Sequence, residues 1–548
     1  VAAAAGVWAM AALGSLFFSA LALTSTSILD PDFGDLLAFF VTTVDIGRAW
    51  ALTTVIPASV TVIVLAFRGP FSVAGTLVIS ALALFPLTLT GHAGGSANHD
   101  AAVIGIALHL LGASVWLGGL VVLASVKSTM SMSRLATVIG RYSWLALASF
   151  IVVASSGAVS ALLRLDDLAG LATPYGVILL GKVAILIALG VLGAFYRTRL
   201  IGRIRQGLDH ANRLFWRIIT VEIALMGLAS GLAAGLARTP PPAGELSAPA
   251  PSPAEILTGR PTPPMPSGTT LLTQWEFDLF WALLCSFGVI IYLGGVFVLT
   301  RRGSSWPAMR TISWAAGWLL AFYLTNGSPA VYDQYLIGAV VVRYLGLAVA
   351  VPVLLVGGSP ALLAKSTVET RDDGSFGIRE YWDAIRRSRI WKILAQPFLA
   401  VGLLVLSLAT FFFTSVLTWS YSSLYGREAL SMYFVVMGCV AVRSVVASRN
   451  IAQPRTMRTY VAAGVLVTTA LAGFALFLSM SDVVLAAEWF PSLELEWDLA
   501  PLQSQQLAGI PVWVLTGAVV LVGVTVHVAR RQGEIPETAK GAFDDDDS

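Results

Sequence analysis

The feature that most constrains this chain is the recurrence of apolar stretches about 20 residues long, the length a helix needs to cross a bilayer. They fall near 3–23, 47–67, 71–91, 102–126, 142–163, 174–196 and 216–236, then near 277–299, 308–325, 333–357, 393–416, 427–447, 459–481 and 508–529. Span 308–325 is the shortest of them. Hydrophobic residues make up 57% of the 548 positions and charged residues only 12%, against roughly 25% charged in a soluble chain. The predicted fold is therefore an all-α polytopic membrane helix bundle of about 14 transmembrane helices, seven plus seven.

Loop charge supplies an orientation, because cytoplasmic loops carry the Lys and Arg excess. Basic loops occur at 127–141, 197–215, 301–310, 358–392 and 448–458, and after the last span at Arg530 and Arg531. The alternate loops are acidic or neutral, with Asp30, Asp32, Asp35 and Asp45, then Asp100, Asp166 and Asp167, then Asp482, Glu488, Glu494 and Glu496. This alternation predicts both termini on the cytoplasmic side of a bacterial inner membrane, with the lipid bilayer as the chain's surroundings. A net charge of +3 gives no ground for expecting nucleic acid.

The long connection 238–274 is Pro-rich and is expected on the outer face as an extended spacer. It divides the chain into a membrane domain at 1–237 and another at 275–532, with an acidic tail at 533–548 that is expected to be disordered. In the loop before 393, Trp382, Ile385 and Ile390 stand among arginines, which predicts a short helix on the inner membrane surface.

Of the five histidines, three cluster in the first half. His92 ends the third span, His99 and Asp100 occupy the short outer loop, and His109 sits on the fourth span. Imidazole with carboxylate suits copper, zinc or iron, and the group lies where a metal arriving from outside would first meet the protein. Ordinary loop and packing roles for the same residues are the competing reading. His210 and His527 are expected in solvent, and Met130 and Met132 could offer thioethers at the inner mouth. Cys285 and Cys439 form no spacing motif. Two cations, Lys182 and Arg343, fall within spans, where a charge costs roughly 2.5–3.5 kcal/mol on insertion scales. Each must face the interior, snorkel to a headgroup or find a carboxylate. With no acid expected deep in a span, Glu276 and Asp278 are the nearest candidate partners, and proton coupling has little support. No nucleophile–base constellation can be placed, so no enzymatic activity is expected. The outer loop 482–507 presents Glu488, Trp489, Phe490 and Trp497, a mixture suited to docking a partner.

At these residues the chain resembles a bacterial fusion. GHAGGSANHD (91–100), HLLGASVWLGGL (109–120) and ARTPPP (237–242) resemble the copper resistance D (CopD-like) family. WEFD (275–278), YLGGV (292–296), the run 306–318, VPVLLVGGSPALLAK (351–365), LAAEWF (485–490) and SQQLAG (504–509) resemble the CtaG-type cytochrome c oxidase assembly family. The resemblance implies copper handling, as uptake or as delivery toward oxidase copper centres, with periplasmic copper carriers or oxidase-assembly proteins as partners. It implies ligands at His92, His99 and His109 in the first half. In the second half the family's histidine positions correspond to Ala339, Arg343, Gln396, Ser431 and Tyr433, and its acidic position to Ser504. That half keeps the signals of the fold without imidazole ligands. The alternative is a metal-free scaffold that binds another envelope protein.

Overall fold

The computed structural model describes residues 1–24, 27–89, 99–165, 167–195, 211–242, 251–371, 373–446, 454–497 and 499–531. Among the described residues every regular element is helical and there is no strand. Twelve helices among the described residues are long and apolar enough to cross a membrane, and a thirteenth span arises if Pro397–Phe413 and Val416–Ser422, bent by 68° at their junction, count as one. Each coincides with an apolar stretch of the sequence. The remaining stretch, near 308–325, forms a 19-residue helix, Ala308–Asn326, but is not apolar enough to join the set. Arg310, Thr311, Ser313 and Thr325 dilute it.

The chain folds as two compact units, Val1–Pro249 and Ala250–Ser548. The first comprises α1 (Ala2–Thr24), α2 (Phe33–Thr43), α3 (Asp45–Ala66), α4 (Pro70–Leu82), α5 (His99–Val126), α6 (Met132–Leu162), α7 (Pro174–Phe195) and α8 (Ala211–Leu236). Its main pairings are α1 on α3 and α5 on α6. Small residues let α5 and α6 approach closely: a Cβ on Gly112 would meet the side chains of Val152 and Val153 at 3.1–3.2 Å. Trp116, Leu120 and Leu123 then pack with Leu135 and Ile139 of α6, Ile185 of α7 and Phe215 of α8 as one apolar cluster.

The second unit begins within the Pro-rich connection. Its helices are α9 (Pro253–Thr258), α10 (Leu279–Arg301), α11 (Ala308–Asn326), α12 (Ser328–Tyr332), α13 (Ile337–Leu345), α14 (Val351–Gly357), α15 (Pro360–Thr367), α16 (Ile378–Arg387), α17 (Arg389–Leu394), α18 (Pro397–Phe413), α19 (Val416–Ser422), α20 (Leu424–Val446), α21 (Pro454–Met480) and α22 (Pro501–Arg531). Residues 251–274 are docked rather than free. Ala254 is buried, the Thr258 and Tyr335 hydroxyls lie 3.0 Å apart, and Tyr332 donates to the Pro264 carbonyl at 2.8 Å. A short helix does form before 393, α16, whose Trp382 stacks edge-on against Trp391 of α17 at 5.5 Å.

The centre of this unit is the span 337–367, of which 61% is buried against 11–33% for the others. It is not one regular helix. A π-helical turn, Gly346–Ala350, joins α13 to α14, a local widening often found at functional sites. Around this span pack α10, α11, α20 and α22, and Phe411 of α18 lies against Tyr344.

Candidate functional site

The second unit buries a network of charge that the sequence reading did not foresee. Arg343, on α13, is fully buried and paired to Asp333, which lies in the turn between α12 and α13 and is also fully buried. Its other terminal nitrogen donates to Ser431 of α20 at 3.4 Å. The expected partners Glu276 and Asp278 are therefore not those of Arg343. Glu276 instead takes Arg260 at 2.5 Å. Asp278 caps α10 by accepting from the Trp281 backbone N–H at 3.0 Å. Asn326 fixes this corner, because its side-chain oxygen accepts from the Asp278 backbone N–H and its carbonyl from that of Glu276, both at 2.8 Å.

Glu428, in the second turn of α20, extends the network. It accepts from the Trp281 indole N–H at 2.6 Å, and its other oxygen lies 3.4 Å from Nε of Arg427. Arg343 lies within electrostatic reach of Glu428 and Arg427, as does Asp278. Three carboxylates and two guanidiniums thus share one interior region. A buried charge is tolerated only when paired and hydrogen-bonded, and these residues supply one another's partners.

The loop after α21 closes over this region. Gln505 of α22 is fully buried, its side-chain oxygen accepting from the Leu485 backbone N–H at 2.7 Å and its amide donating to the Val483 carbonyl at 2.9 Å. Trp489 donates its indole N–H to the Gln334 carbonyl at 2.9 Å and lies 4.9 Å from the Tyr421 ring. Phe490 is buried, and Trp497 packs on Tyr332 and Tyr335 at 5.9 and 6.1 Å. Of the four loop residues singled out for docking, three aromatics pack within the unit and Glu488 is exposed.

In the first unit, α5 runs unbroken from His99 to His109. At 1.5 Å per residue the two histidines stand about 15 Å apart along the axis, so they occupy separate positions. Asp100 follows His99 in the first turn of the same helix. His109 is half-buried, its Nδ1 lying 3.0 Å from the Ser156 hydroxyl of α6, and it feels the charge of Lys182. Lys182 is half-buried on α7, and its electrostatic neighbours His109 and Arg164 are both basic. His92, His210 and the side chain of His527 fall outside the described residues. Among the described residues no three His, Cys, Asp or Glu side chains come together as a metal-holding group.

A further correction concerns buried acids. Glu222, mid-way along α8, is buried and accepts from the Trp116 indole N–H at 3.3 Å. Tyr142 of α6 donates to the Trp116 carbonyl at 2.6 Å. With Glu222, Asp333 and Glu428 inside the bundle, the premise that spans hold no acid fails, and so does the argument it supplied against proton coupling.

Comparison with known families follows the same division. A copper resistance protein D-like N-terminal domain model matches residues 1–99, and a copper resistance protein D model matches 136–236. A cytochrome c oxidase caa3 assembly factor (CtaG) model matches 290–532. Uncharacterized proteins of Mycobacterium bovis and Mycobacterium tuberculosis are 28% identical over 284 residues, and one of Mycobacterium leprae is 24% identical over 282. Each match covers 50% of this chain and 42% of the relative, so the chain spans less than half the length of the curated relatives it matches. No solved structure matches the chain. The protein is a multi-pass membrane fusion of a CopD-like domain with a CtaG-like, caa3 assembly-factor domain.

Proposed function

We propose that this protein handles copper as cargo at the outer face of a bacterial cytoplasmic membrane, in uptake or in delivery toward cytochrome oxidase assembly. The observation that carries the reading is the presence of copper-resistance and oxidase-assembly domains on one chain. The families link the chain to copper and oxidase assembly, and the division of labour between its halves is our inference. Capture is assigned to the first unit, at His99 and Asp100 opening α5 together with His92, with His109 deeper on the same helix. Both termini lie in the cytoplasm, and the partner is a periplasmic copper carrier or an oxidase-assembly protein.

The second unit does not fit a copper ion at the positions its resemblance indicates. The Arg343 guanidinium stands beside Ser431, and a fixed cation there repels a metal cation. That observation favours, as a second reading, a metal-free scaffold in which this half contributes only fold and partner contacts. The test is bound copper and cellular copper content for the intact protein and for the His92→Ala, His99→Ala, His109→Ala triple variant. Loss of both in the variant supports copper capture. Unchanged binding and uptake sink it and leave the scaffold.

A further inference from the structure

Among the described residues of the second unit, the buried polar atoms without a hydrogen-bond partner include Oδ1 of Asp333, Oε1 of Gln334, Nε of Arg343 and the hydroxyls of Tyr344 and Tyr421. These five belong to one neighbourhood. Tyr421 lies within electrostatic reach of Asp333, Arg343 and Tyr344, and Gln334 donates through its amide to the Tyr421 carbonyl at 3.3 Å.

The remaining polar atoms of these side chains are engaged, which holds the five in place. The second oxygen of Asp333 takes Arg343, and the terminal nitrogens of Arg343 reach Asp333 and Ser431. Five such atoms left unpaired would cost more than the bonds around them return, so a polar occupant must complete the set. Its chemistry follows from the donors and acceptors. A cation would face the Arg343 guanidinium, and an anion would face the oxygens of Asp333 and Gln334. One donor-only atom, two acceptor-only atoms and two hydroxyls that do both call for small neutral molecules that donate and accept.

We propose that Asp333, Gln334, Arg343, Tyr344 and Tyr421 enclose a cluster of ordered water molecules beneath the Trp489–Phe490 lid. Water meets such a site with two to four bonds each. The lid closes it on one side, with both rings against Tyr421 at 4.9 and 5.9 Å. On the other side Phe411 and Phe434 flank Tyr344 at 4.3 and 5.7 Å and give a dry wall. The inference does not depend on copper capture in the first unit.

X-ray radiolytic labelling of the full chain in lipid nanodiscs tests it, since bound water generates hydroxyl radicals beside buried side chains. Tyr344 and Tyr421 should be modified several-fold faster than Tyr292, which is similarly buried but donates to the Gly358 carbonyl. Rates no higher than that of Tyr292 overturn the proposal. A second measurement uses Tyr421→Phe. If the hydroxyl is dry and unpaired, removing it raises the melting temperature, which also overturns the proposal. An unchanged or lowered melting temperature is the expected result.

Discussion

The indole N–H of Trp281 and the carboxylate of Glu428 meet at 2.6 Å and tie α10 to α20 across 147 residues of sequence. Trp281 is wholly buried and Glu428 nearly so, so this bond sits where its loss is not made good by solvent. Trp281→Phe keeps most of the ring volume and removes the donor. It should destabilise the protein by about 1–3 kcal/mol, the cost of a buried acceptor left unpaired. Thermal unfolding in detergent measures this, and adding Glu428→Gln to Trp281→Phe should recover part of the loss. No recovery would mean the ring packing matters and the bond does not.

Breaking one side of the Arg343–Asp333 pair leaves a bare charge in the interior. Arg343→Met alone should cost about 3–5 kcal/mol, while Arg343→Met with Asp333→Asn should be much closer to the parent protein. The check is a double-mutant cycle on melting temperature or denaturant midpoint. Strictly additive losses would show that the two residues do not act as a pair.

Adjacent glycines on α5 should behave differently. A Cβ on Gly119 would lie 2.3 Å from the Tyr142 ring, whereas one on Gly118 meets nothing within 4 Å. The ring cannot swing aside freely, because its hydroxyl is bound to the Trp116 carbonyl. Gly119→Ala should destabilise by about 1–3 kcal/mol, and Gly118→Ala should be neutral or slightly stabilising. Melting curves of the two variants side by side decide it, and equal effects would contradict the packing.

The docked start of the second unit should respond to acid. Glu255 accepts from the Ser252 backbone N–H, and Ser252 accepts from that of Glu255, a capping box for α9. The Ser252 N–H, with smaller help from Thr262 and the Ser252 side chain, holds the Glu255 carboxyl below its ordinary range. A lowered value in the folded state means the stabilisation is present above the ordinary carboxylate range and is lost as pH falls through the lowered one. Hydrogen exchange at the amides of 254–258 should therefore speed up, relative to its intrinsic rate, in acid. Glu255→Gln, which caps without titrating, should flatten that dependence. An identical profile in both proteins would exclude Glu255 as its source.

The span pattern was legible because it rests on local apolar length alone. The helix Ala308–Asn326 was legible too, although its composition is borderline. The buried acids were not, and the reason is physical. Glu222 is one charge among many apolar neighbours, and a window average hides it. Asp333 opens its stretch and reads as the wet end of a helix, but the turn between α12 and α13 folds that end inside. Trp489, Phe490 and Trp497 looked like a docking surface because sequence shows which aromatics a loop carries, and only tertiary structure shows which way they face. In the motif pairs Gly118–Gly119 and Gly294–Gly295, one glycine of each has a close neighbour, Tyr142 for Gly119 and Leu363 for Gly295. The motifs HLLGASVWLGGL and YLGGV contain these pairs, and sequence alone does not choose between their members.

The π-helical turn at Gly346–Ala350 has an angular consequence. An α-helix advances 100° per residue, and one wider turn shifts the phase of everything after it. The half that carries Arg343 and Tyr344 and the half whose Leu355 packs on Gly317 therefore keep separate azimuths along one span. Removing a single residue from the wide turn would restore even winding and rotate one half against the other by about 100°. The charged pocket and the apolar contacts could then no longer both face their partners, so the irregular turn works as a rotational offset between a polar and an apolar half of the same helix.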